Sequence, residues 1–403
     1  MDDRLAIDGG SPVRSRVLPP WPYFGEDEAE AAAEVLRTGR VNYWTGTLGR
    51  EFEIAFAKFV GRKHAIALSN GTAALELALW SVGIGPGDEV IVPARTFIAT
   101  ASSVAMRGGT PVCADIDSAS QNVTAATIDA ALSPRTKAII VVHLAGWPCD
   151  MQPINELAAS HGIPVIEDCA QALGAAYYGR PAGSLGQLAA FSFCQDKIMT
   201  TGGEGGMLVT DDSELFELAW SLKDHGKSYA KTHSETQIPG VGFRWMHDRF
   251  GTNMRMTEMQ SAIGLKALTK VPGWVSRRRA HANALDDAFV GLPGVAITRP
   301  PTGFEHAYYK YYLRVRVDEL SAGWSRDRIL KAVEAEGIPC FSGACPEIYL
   351  EQAFDGIRPA ERLPVAQEIG ETSLMLLVHP TLTEQDIDDT IAAVRKVLGA
   401  ATS

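Results

Sequence analysis

The chain has 403 residues, of which 46% are hydrophobic and 21% are charged, a composition typical of a globular enzyme large enough for two domains. Its formal net charge of −11 comes from interspersed acids and bases, which argues against a nucleic-acid-binding surface. No apolar run approaches the length of a membrane-spanning helix, which argues against a membrane-embedded protein.

Cysteine usage and the N-terminal residues indicate the compartment. Six cysteines are scattered without a Cys-x-x-Cys spacing, and Cys340 and Cys345 do not have the spacing of a common zinc site. The first ten residues, MDDRLAIDGG, lack the apolar segment of a signal peptide. The sequence therefore predicts a cytoplasmic protein with reduced cysteines and no metal.

An extended arm rich in Pro and Gly, residues 1–25, begins the chain. Such an arm needs a surface to lie on, either its own body or a partner subunit. Helices are predicted over residues 26–36, with acids in the first turn, and over 51–60. The aromatic, glycine-broken segment RVNYWTG (40–46) lies between them.

A strand over residues 64–68 runs into SNGT (69–72) and then into a helix with one apolar face. A strand, an Asn-Gly turn and a helix N-terminus together form a candidate anion site, because free N–H groups and the helix dipole point at the turn. Many α/β turns share this pattern without binding a ligand, so this signal by itself is weak.

Strands and helices then alternate, with strands over 89–93, 111–116, 137–144, 163–168, 188–193 and 206–210, and helices over 96–106, 125–132 and 154–161. The strands are continuously apolar, which indicates that both faces are covered. The pattern predicts a three-layer α/β fold with a doubly wound, mostly parallel sheet. Ligands in such folds bind at the carboxyl ends of strands, where this chain has residues 69–72, Thr96, Phe97, His143, Asp168, Ser192 and Lys197.

The second half of the chain begins with a long segment, residues 224–252, that has no helix or strand period and is predicted to be a lid or an arm. Thr257 and Gln260 predict a capping box for a helix that continues, with interruptions, towards Phe289. A strand over 311–317 and helices over 326–336 and 384–398 follow. We expect a large α/β domain over residues 1–255 and a smaller α+β domain over residues 256–403.

One lysine, Lys197, lies between two buried strands in the stretch FSFCQDKIMTTGGEGGMLVT (191–210). A loop lysine is ordinarily solvated, but one at the carboxyl edge of a sheet can form a Schiff base. Asp168 ends a buried strand, where it serves either as a helix cap or as the partner of a buried cation such as a pyridinium nitrogen.

Three other side chains have an ordinary structural explanation and a functional one. Gln171 either opens a turn or faces a ring, Phe97 is either a core residue or a stacking surface, and Ser192 bonds either to the backbone or to a phosphate. The combination of a lysine, an acid, an aromatic face and phosphate donors is what pyridoxal phosphate requires.

Several longer motifs extend this pattern: SNGTAALELAL, EVIVPARTFIAT, HLAGWPCDM, VIEDCAQALGA, SFCQDKIMTTGGEGGML and GTNMRMTEMQSAIG. With them the chain resembles, over nearly its whole length, the sugar aminotransferase family typified by DegT and StrS. That family belongs to the fold-type-I group of pyridoxal phosphate enzymes.

The resemblance implies roles for residues at the matching positions. Lys197 would form the Schiff base, Asp168 would pair with the pyridine nitrogen, Gln171 would lie beside the ring and Phe97 would stack on it. Phosphate would be bound by Gly71, Thr72, Ala73 and Ser192. Asn253 would reach the partner's phosphate in a homodimer with shared active sites. Substrate contacts are expected from Tyr43, Trp44, Thr45, His225, Arg244 and His247.

The implied activity is transfer of an amino group from glutamate or glutamine to a keto sugar, with nucleotide-linked sugars favoured. The dehydratase branch of the family replaces the lysine, so Lys197 favours transamination. Alternatives within the family are a cyclitol (inosose) aminotransferase and 3-amino-5-hydroxybenzoate synthase. A Rossmann oxidoreductase is disfavoured because no dinucleotide fingerprint follows the first strand. A non-catalytic regulator is disfavoured because Lys197, Asp168 and Ser192 occur together.

Overall fold

A computed structural model of the protein describes residues 4–233 and 246–402. Its helices are α1 (Glu26–Thr38), α2 (Leu48–Val60), α3 (Gly71–Ser81), α4 (Ala99–Met106), α5 (Ala125–Asp129), α6 (Met151–His161), α7 (Ser213–Lys223), α8 (Tyr229–His233), α9 (Glu258–Phe289), α10 (Arg326–Ala335), α11 (Pro364–Thr372) and α12 (Glu384–Ala401). Within the described residues, none of these helices combines the length and apolarity needed to cross a membrane.

The strands in the described residues are β1 (His64–Leu68), β2 (Glu89–Pro93), β3 (Thr110–Ala114), β4 (Thr136–Val142), β5 (Val165–Asp168), β6 (Ala176–Tyr177), β7 (Arg180–Pro181), β8 (Leu188–Ser192), β9 (Gly206–Thr210), β10 (Val295–Ala296), β11 (Phe304–Glu305), β12 (Tyr311–Val315), β13 (Cys340–Phe341) and β14 (Ser373–Leu376).

Seven strands form the main sheet, in the order β1-β9-β8-β5-β4-β2-β3. Strand β9 runs antiparallel to both of its neighbours, and the other pairs are parallel. One face packs against α3, α4 and α7, and the other against α2, α5, α6 and the first half of α9. The prediction of a three-layer, mostly parallel α/β fold is therefore confirmed.

A smaller α+β unit follows in the chain, as expected. Its sheet, β10-β12-β14-β13, is antiparallel and packs against α10, α12 and the second half of α9. The helix α9 joins the two cores, since Leu268 and Val271 lie in the core of the main sheet whereas Leu285 and Phe289 lie in the smaller core. The division of the chain at residues 255 and 256 stays a prediction.

Helix α9 also tests a local prediction. The capping box of Thr257 and Gln260 is present, with the Thr257 side chain accepting from Gln260 N–H and the Gln260 side chain accepting from Thr257 N–H. The helix runs to Phe289 as one element that contains Pro272, whereas interruptions were expected. Apolar contacts with both cores along its length offset the local cost of the proline.

The N-terminal arm lies against the body of its own chain. Arg14 pairs with Asp386 and Asp389 at 2.6 Å each, in a site where the arginine side chain is 5% exposed. Leu5 is buried in the smaller core, and the Trp21 Nε1–H donates to the backbone oxygen of Lys197 at 2.9 Å. The arm therefore connects the start of the chain to the loop that carries Lys197.

Two further predictions of local structure were wrong. The helix expected from Thr96 begins at Ala99, because residues 96–98 form the turn that follows β2. The segment 224–252 was expected to contain no helix, but it includes α8, whose Tyr229 packs edge-on against Phe216 and Trp220 of α7. Tertiary aromatic contacts stabilise a helix of only five residues that has no clear period of its own.

Candidate active site

A cavity of about 890 Å³ lies at the carboxyl edge of the main sheet, with residues that flank β12, β13 and β14 on its opposite side. The candidate residues that line it are Gly71, Thr72, Ala73, Phe97, Asp168, Gln171, Ser192 and Lys197. The structure thus brings together eight side chains or backbone groups that are spread over 127 positions of sequence. Their assignment to particular ligand atoms stays a prediction.

Asp168 ends β5 and is 6% exposed. Its carboxylate accepts from Thr100 Oγ1 at 3.0 Å and from the Ala170 N–H at 3.1 Å, and both donors are neutral. Burial raises the pKa of Asp168, because these donors compensate only part of the lost hydration. A cationic N–H placed in the cavity would supply the missing compensation.

Lys197 follows β8 in a loop that faces the same cavity. Its Nζ lies 4.9 Å from the centroid of the Tyr309 ring, and the Tyr309 hydroxyl donates to Asp196. Burial alone would raise the pKa of Asp196, but the charge of Lys197 and the Tyr309 hydroxyl together lower it. An ionised carboxylate therefore lies next to the lysine.

Gln171 and Phe97 also line the cavity, where one offers a polar group and the other an aromatic ring. The Gln171 Oε1 accepts from the Ala145 N–H at 2.7 Å, which leaves its amide nitrogen as the group available to a ligand. Phe97 follows β2, lines the cavity and is 66% exposed. An exposed aromatic ring of this kind can stack on a flat heterocycle.

Helix α3 begins at the edge of the cavity and supplies anion donors. Its N-cap residue Asn70 accepts from the Ala73 N–H at 2.8 Å, so a phosphate would have to share that donor. The N–H groups of Gly71 and Thr72 lie in the first turn of the helix, where backbone N–H groups can bind an anion. A Cβ on Gly71 would lie 2.6 Å from the Cβ of Ser192. The absence of a side chain at Gly71 therefore allows the helix start to lie against the end of β8, next to the Ser192 hydroxyl.

These observations fit pyridoxal phosphate. Among the described residues, the buried carboxylate of Asp168 accepts hydrogen bonds from neutral donors alone, the helix start and Ser192 form a cradle that a Cβ would fill, and an exposed aromatic ring lies beside them. Lys197 is the lysine that lines the cavity from the main sheet. Asp168, Gly71, Thr72, Ser192, Phe97 and Gln171 would hold the cofactor.

The remaining candidates lie outside this cavity in the single chain. Tyr43 is 3% exposed, donates its hydroxyl to Glu53 at 3.0 Å and lies under the ammonium of Lys223. Trp44 donates to Asp224 at 2.9 Å, and Thr45 bonds to the Asn42 backbone. Three others, His225, His247 and Asn253, are exposed. Arg244 lies outside the described residues.

The opposite wall of the cavity was not predicted from the sequence. It includes Tyr309, Lys310 and Tyr312, which lie next to or within β12 more than 110 residues after Lys197 and carry no local signal of a site. Asn70 belongs to the predicted SNGT turn, and its role as the N-cap could also have been predicted, because an Asn that precedes an apolar helix is a typical N-cap. Thr100 could not, since its contact with Asp168 depends on the packing of α4 against the sheet.

His143 forms part of the interior beneath the cavity. Its Nδ1 accepts from the Cys149 N–H at 3.0 Å, so the ring carries its proton on Nε2 and donates it to Glu167 at 2.9 Å. Glu167 also accepts from three backbone N–H groups of residues 183–186. His143 and Glu167 therefore form a connected hydrogen-bond network that fixes the loop after β7, and the Cys169 thiol lies within 4.8 Å of both side chains.

Comparison with known proteins gives a consistent result. Residues 22–395 match the DegT/DnrJ/EryC1/StrS aminotransferase family. The chain is 42% identical over 364 residues to the GDP-perosamine synthase of Caulobacter vibrioides, covering 88% of this chain and 92% of that protein.

Two further relatives are similar over most of their length. The UDP-N-acetyl-3-dehydro-alpha-D-glucosamine 3-aminotransferase of Acidithiobacillus ferrooxidans is 37% identical, over 88% of this chain and 89% of that one. The solved structure of an aminotransferase from Psychrobacter cryohalolentis is 50% identical and superimposes with a TM-score of 0.94, over 96% of this chain and 100% of that one.

Proposed function

The chain belongs to the DegT/DnrJ/EryC1/StrS aminotransferase family, and on that premise we propose that it aminates a keto sugar linked to a nucleotide. It is a pyridoxal phosphate-dependent aminotransferase. The names of two relatives, a GDP-sugar synthase and a UDP-sugar aminotransferase, support a nucleotide-linked acceptor. Glutamate or glutamine is the proposed amino donor.

One observation carries the proposal for the site: Lys197 and Asp168 line the same cavity, with the α3 N-terminus at its edge. Pyridoxal phosphate, when bound, supplies an electron-withdrawing ring that stabilises negative charge developing at the substrate carbon. Asp168 would accept a hydrogen bond from the ring nitrogen and keep that nitrogen protonated. Gly71, Thr72 and Ser192 would bind the phosphate, Phe97 would stack on the ring and Gln171 would hold its edge.

Lys197 would have two functions in the reaction. Its Nζ would attach the cofactor covalently at rest, and after release it would take the proton from the donor's Cα and return it on the other side of the transferred nitrogen. Asp196 lies beside Lys197 and is held by the Tyr309 hydroxyl, so its negative charge would stabilise the protonated amine. Donor and acceptor would react in turn at one site, which predicts ping-pong kinetics.

We further propose a homodimer in which each chain completes its partner's site. The exposed side chains His225, His247 and Asn253 lie outside the chain's own cavity, and the neighbouring Phe250 is 97% exposed. An interface would cover this apolar ring. Asn253 would bind the partner's phosphate, and Tyr43, Trp44, Thr45, His225, Arg244 and His247 would contribute to the substrate site.

We also propose a division into two structural units and a cellular location. A large cofactor-binding unit over residues 1–255 and a smaller unit over 256–403 would place the active site between two cores. A cytoplasmic location is supported by the six free cysteines, which are typical of a reducing compartment.

The acceptor is tested with the aminated form of the purified enzyme. That form is prepared with glutamate and then mixed with keto sugars in free and nucleotide-linked forms, with an inosose and with the keto precursor of an aminobenzoate. We expect recovery of the original cofactor absorbance with at least one nucleotide-linked keto sugar. Recovery with the inosose or the aminobenzoate precursor alone would reject the proposal and identify the enzyme as a cyclitol aminotransferase or a 3-amino-5-hydroxybenzoate synthase, respectively.

A further inference from the structure

The charges that line the cavity are unbalanced. Among the residues that the structure describes, its acidic side chains are Glu76, Asp168, Asp196 and Glu204, and its cationic side chains are Lys197 and Lys310. A donor amino acid brings at least one carboxylate into this acidic site, where like charges repel it. In the resting enzyme Lys197 would be bonded to the cofactor. Among the described residues that line the cavity, Lys310 is then the cation that remains for a substrate carboxylate.

Lys310 is well placed to meet such a carboxylate. It lies immediately before β12, on the side of the cavity opposite the main sheet. Its Nζ is 4.9 Å from the centroid of the Tyr309 ring, the same distance as the Nζ of Lys197, so both ammonium groups border one aromatic ring. The structure therefore places two ammonium groups against one ring, one on the lysine that would react and one on the opposite wall of the cavity.

The nearby acid is already engaged. Asp196 accepts the Tyr309 hydroxyl and lies beside Lys197, and its charge also acts on Lys310, but no ion pair within 4.0 Å joins Lys310 to a carboxylate of the described residues. We propose that Lys310 is a specificity-determining residue that binds a carboxylate of the amino donor. This inference deepens the proposed function and rests on it for the identity of the reaction.

The surroundings of Lys310 predict how donor binding depends on pH. Burial, Arg278 and Lys197 lower the pKa of Lys310 to about 8, while Asp196 opposes this change. Tyr309 stays protonated because burial raises its pKa, and His379 stays neutral because burial lowers its pKa to about 3. Burial and Arg278 act on Lys310 whether or not Lys197 carries the cofactor, so the charge of Lys310 is present at neutral pH and is lost as the pH rises through a pKa below the ordinary lysine value of 10.5.

The test compares holoenzyme variants Lys310→Met, which removes the charge, and Lys310→Arg, which keeps it, with Lys331→Met at an exposed lysine on α10 as the control. Calorimetry measures the Kd of maleate, an unreactive dicarboxylate. Absorbance of the cofactor measures the half-reaction with glutamate and, separately, the half-reaction with the keto sugar. Circular dichroism and cofactor content check that each variant is folded and loaded.

We expect Lys310→Met to raise the maleate Kd and the glutamate saturation constant about 10- to 100-fold, with the sugar half-reaction changed by less than about threefold. Lys310→Arg and Lys331→Met stay near wild type. In the wild type, the maleate Kd rises above about pH 8 because Lys310 loses its proton, and the rise approaches about tenfold for each further pH unit. In Lys310→Arg the Kd stays constant up to pH 9.5, because arginine keeps its charge. If glutamate and glutamine are affected alike, the α-carboxylate is the ligand, and if glutamate alone is affected, the side-chain carboxylate is.

Unchanged maleate and glutamate binding in folded, loaded Lys310→Met would overturn the inference. A defect confined to the sugar half-reaction would also overturn it and would assign Lys310 to the sugar nucleotide. Failure of the wild type to accept any keto sugar, with normal glutamate conversion, would instead reject the proposed function and leave the assignment of Lys310 standing.

Discussion

The substitution Asp168→Asn separates two effects of a buried carboxylate. One is on the stability of the apoprotein, and the other is on the affinity for the cofactor. The side chain is 6% exposed and meets two neutral donors, Thr100 Oγ1 and the Ala170 N–H. An asparagine has the same shape, can accept from the Ala170 N–H and can donate to the Thr100 hydroxyl after that hydroxyl rotates. The change therefore removes a charge without opening a cavity.

The apoprotein should become more stable at neutral pH. Burial raises the pKa of Asp168 above its ordinary value of 3.8, so the folded state binds more protons than the unfolded state in the range above that value. Stability from this group is therefore lost as the pH rises, by about 1.4 kcal/mol for each tenfold change in the ionisation equilibrium. In a chain of this length about 1 kcal/mol changes the Tm by roughly 1 °C.

Calorimetric scans of apoprotein at pH 5 and pH 7.5 measure this effect, with Asp318→Asn at an exposed aspartate as the control. We expect Asp168→Asn to melt at least about 1 °C above wild type at pH 7.5 and to lose part of this advantage at pH 5. Titration with pyridoxal phosphate should give a Kd about 10- to 150-fold above wild type, because a charge-assisted hydrogen bond contributes about 1.5–3 kcal/mol.

The reasoning would be refuted by either of two results. An Asp168→Asn apoprotein that melts several degrees below wild type at pH 7.5 would show that the ionised carboxylate stabilises the empty site. A variant that binds the cofactor as tightly as wild type would show that the acid does not partner the ring nitrogen.

Three further substitutions test the cradle, the stacking face and the arm. Gly71→Ala should weaken cofactor binding at least tenfold, because its methyl would lie 2.6 Å from a neighbouring Cβ, whereas Gly273→Ala, with open space around it, should bind normally; titration with the cofactor decides. Phe97→Ala should raise the cofactor Kd about 2- to 12-fold without lowering the apoprotein Tm, because the ring is exposed. Arg14→Ala should lower the Tm by about 3–5 °C, because it removes a buried ion pair worth about 3–5 kcal/mol. The control Arg16→Ala, at an exposed position, should leave the Tm unchanged. Equal Tm values for these two variants would contradict the stabilisation of the fold by the N-terminal arm.

The sequence predicted the main sheet because its strands are short, continuously apolar and separated by helices. The bounds of β1, β2 and β9 agree with those predicted, since sharp turns or polar residues flank each strand. Helix α7 was not predicted, and the five-residue α8 depends on aromatic contacts with it. Periodicity in a short window does not contain such long-range contacts.

The candidate site likewise contains residues that the sequence could predict and residues that depend on long-range packing. Asp168, Ser192 and Lys197 could be proposed from topology alone, because the carboxyl ends of parallel strands meet at one edge. The wall that contains Lys310 comes from a separate core, and its approach to the sheet depends on how α9 joins the two units. Tyr43, which is proposed to contribute to the substrate site of the dimer, is 3% exposed beneath Lys223 in the single chain, and its burial could not be predicted because an aromatic side chain in a glycine-broken loop is equally suited to a core.

Reduction of the purified holoenzyme with borohydride, followed by peptide mass spectrometry, tests the central claim most directly. We predict that the cofactor is fixed to the peptide that contains Lys197 and that no label is found in a Lys197→Ala variant of normal fold. A label on the peptide that contains Lys310, or a Lys197→Ala variant that is still labelled to the wild-type extent, would contradict the account.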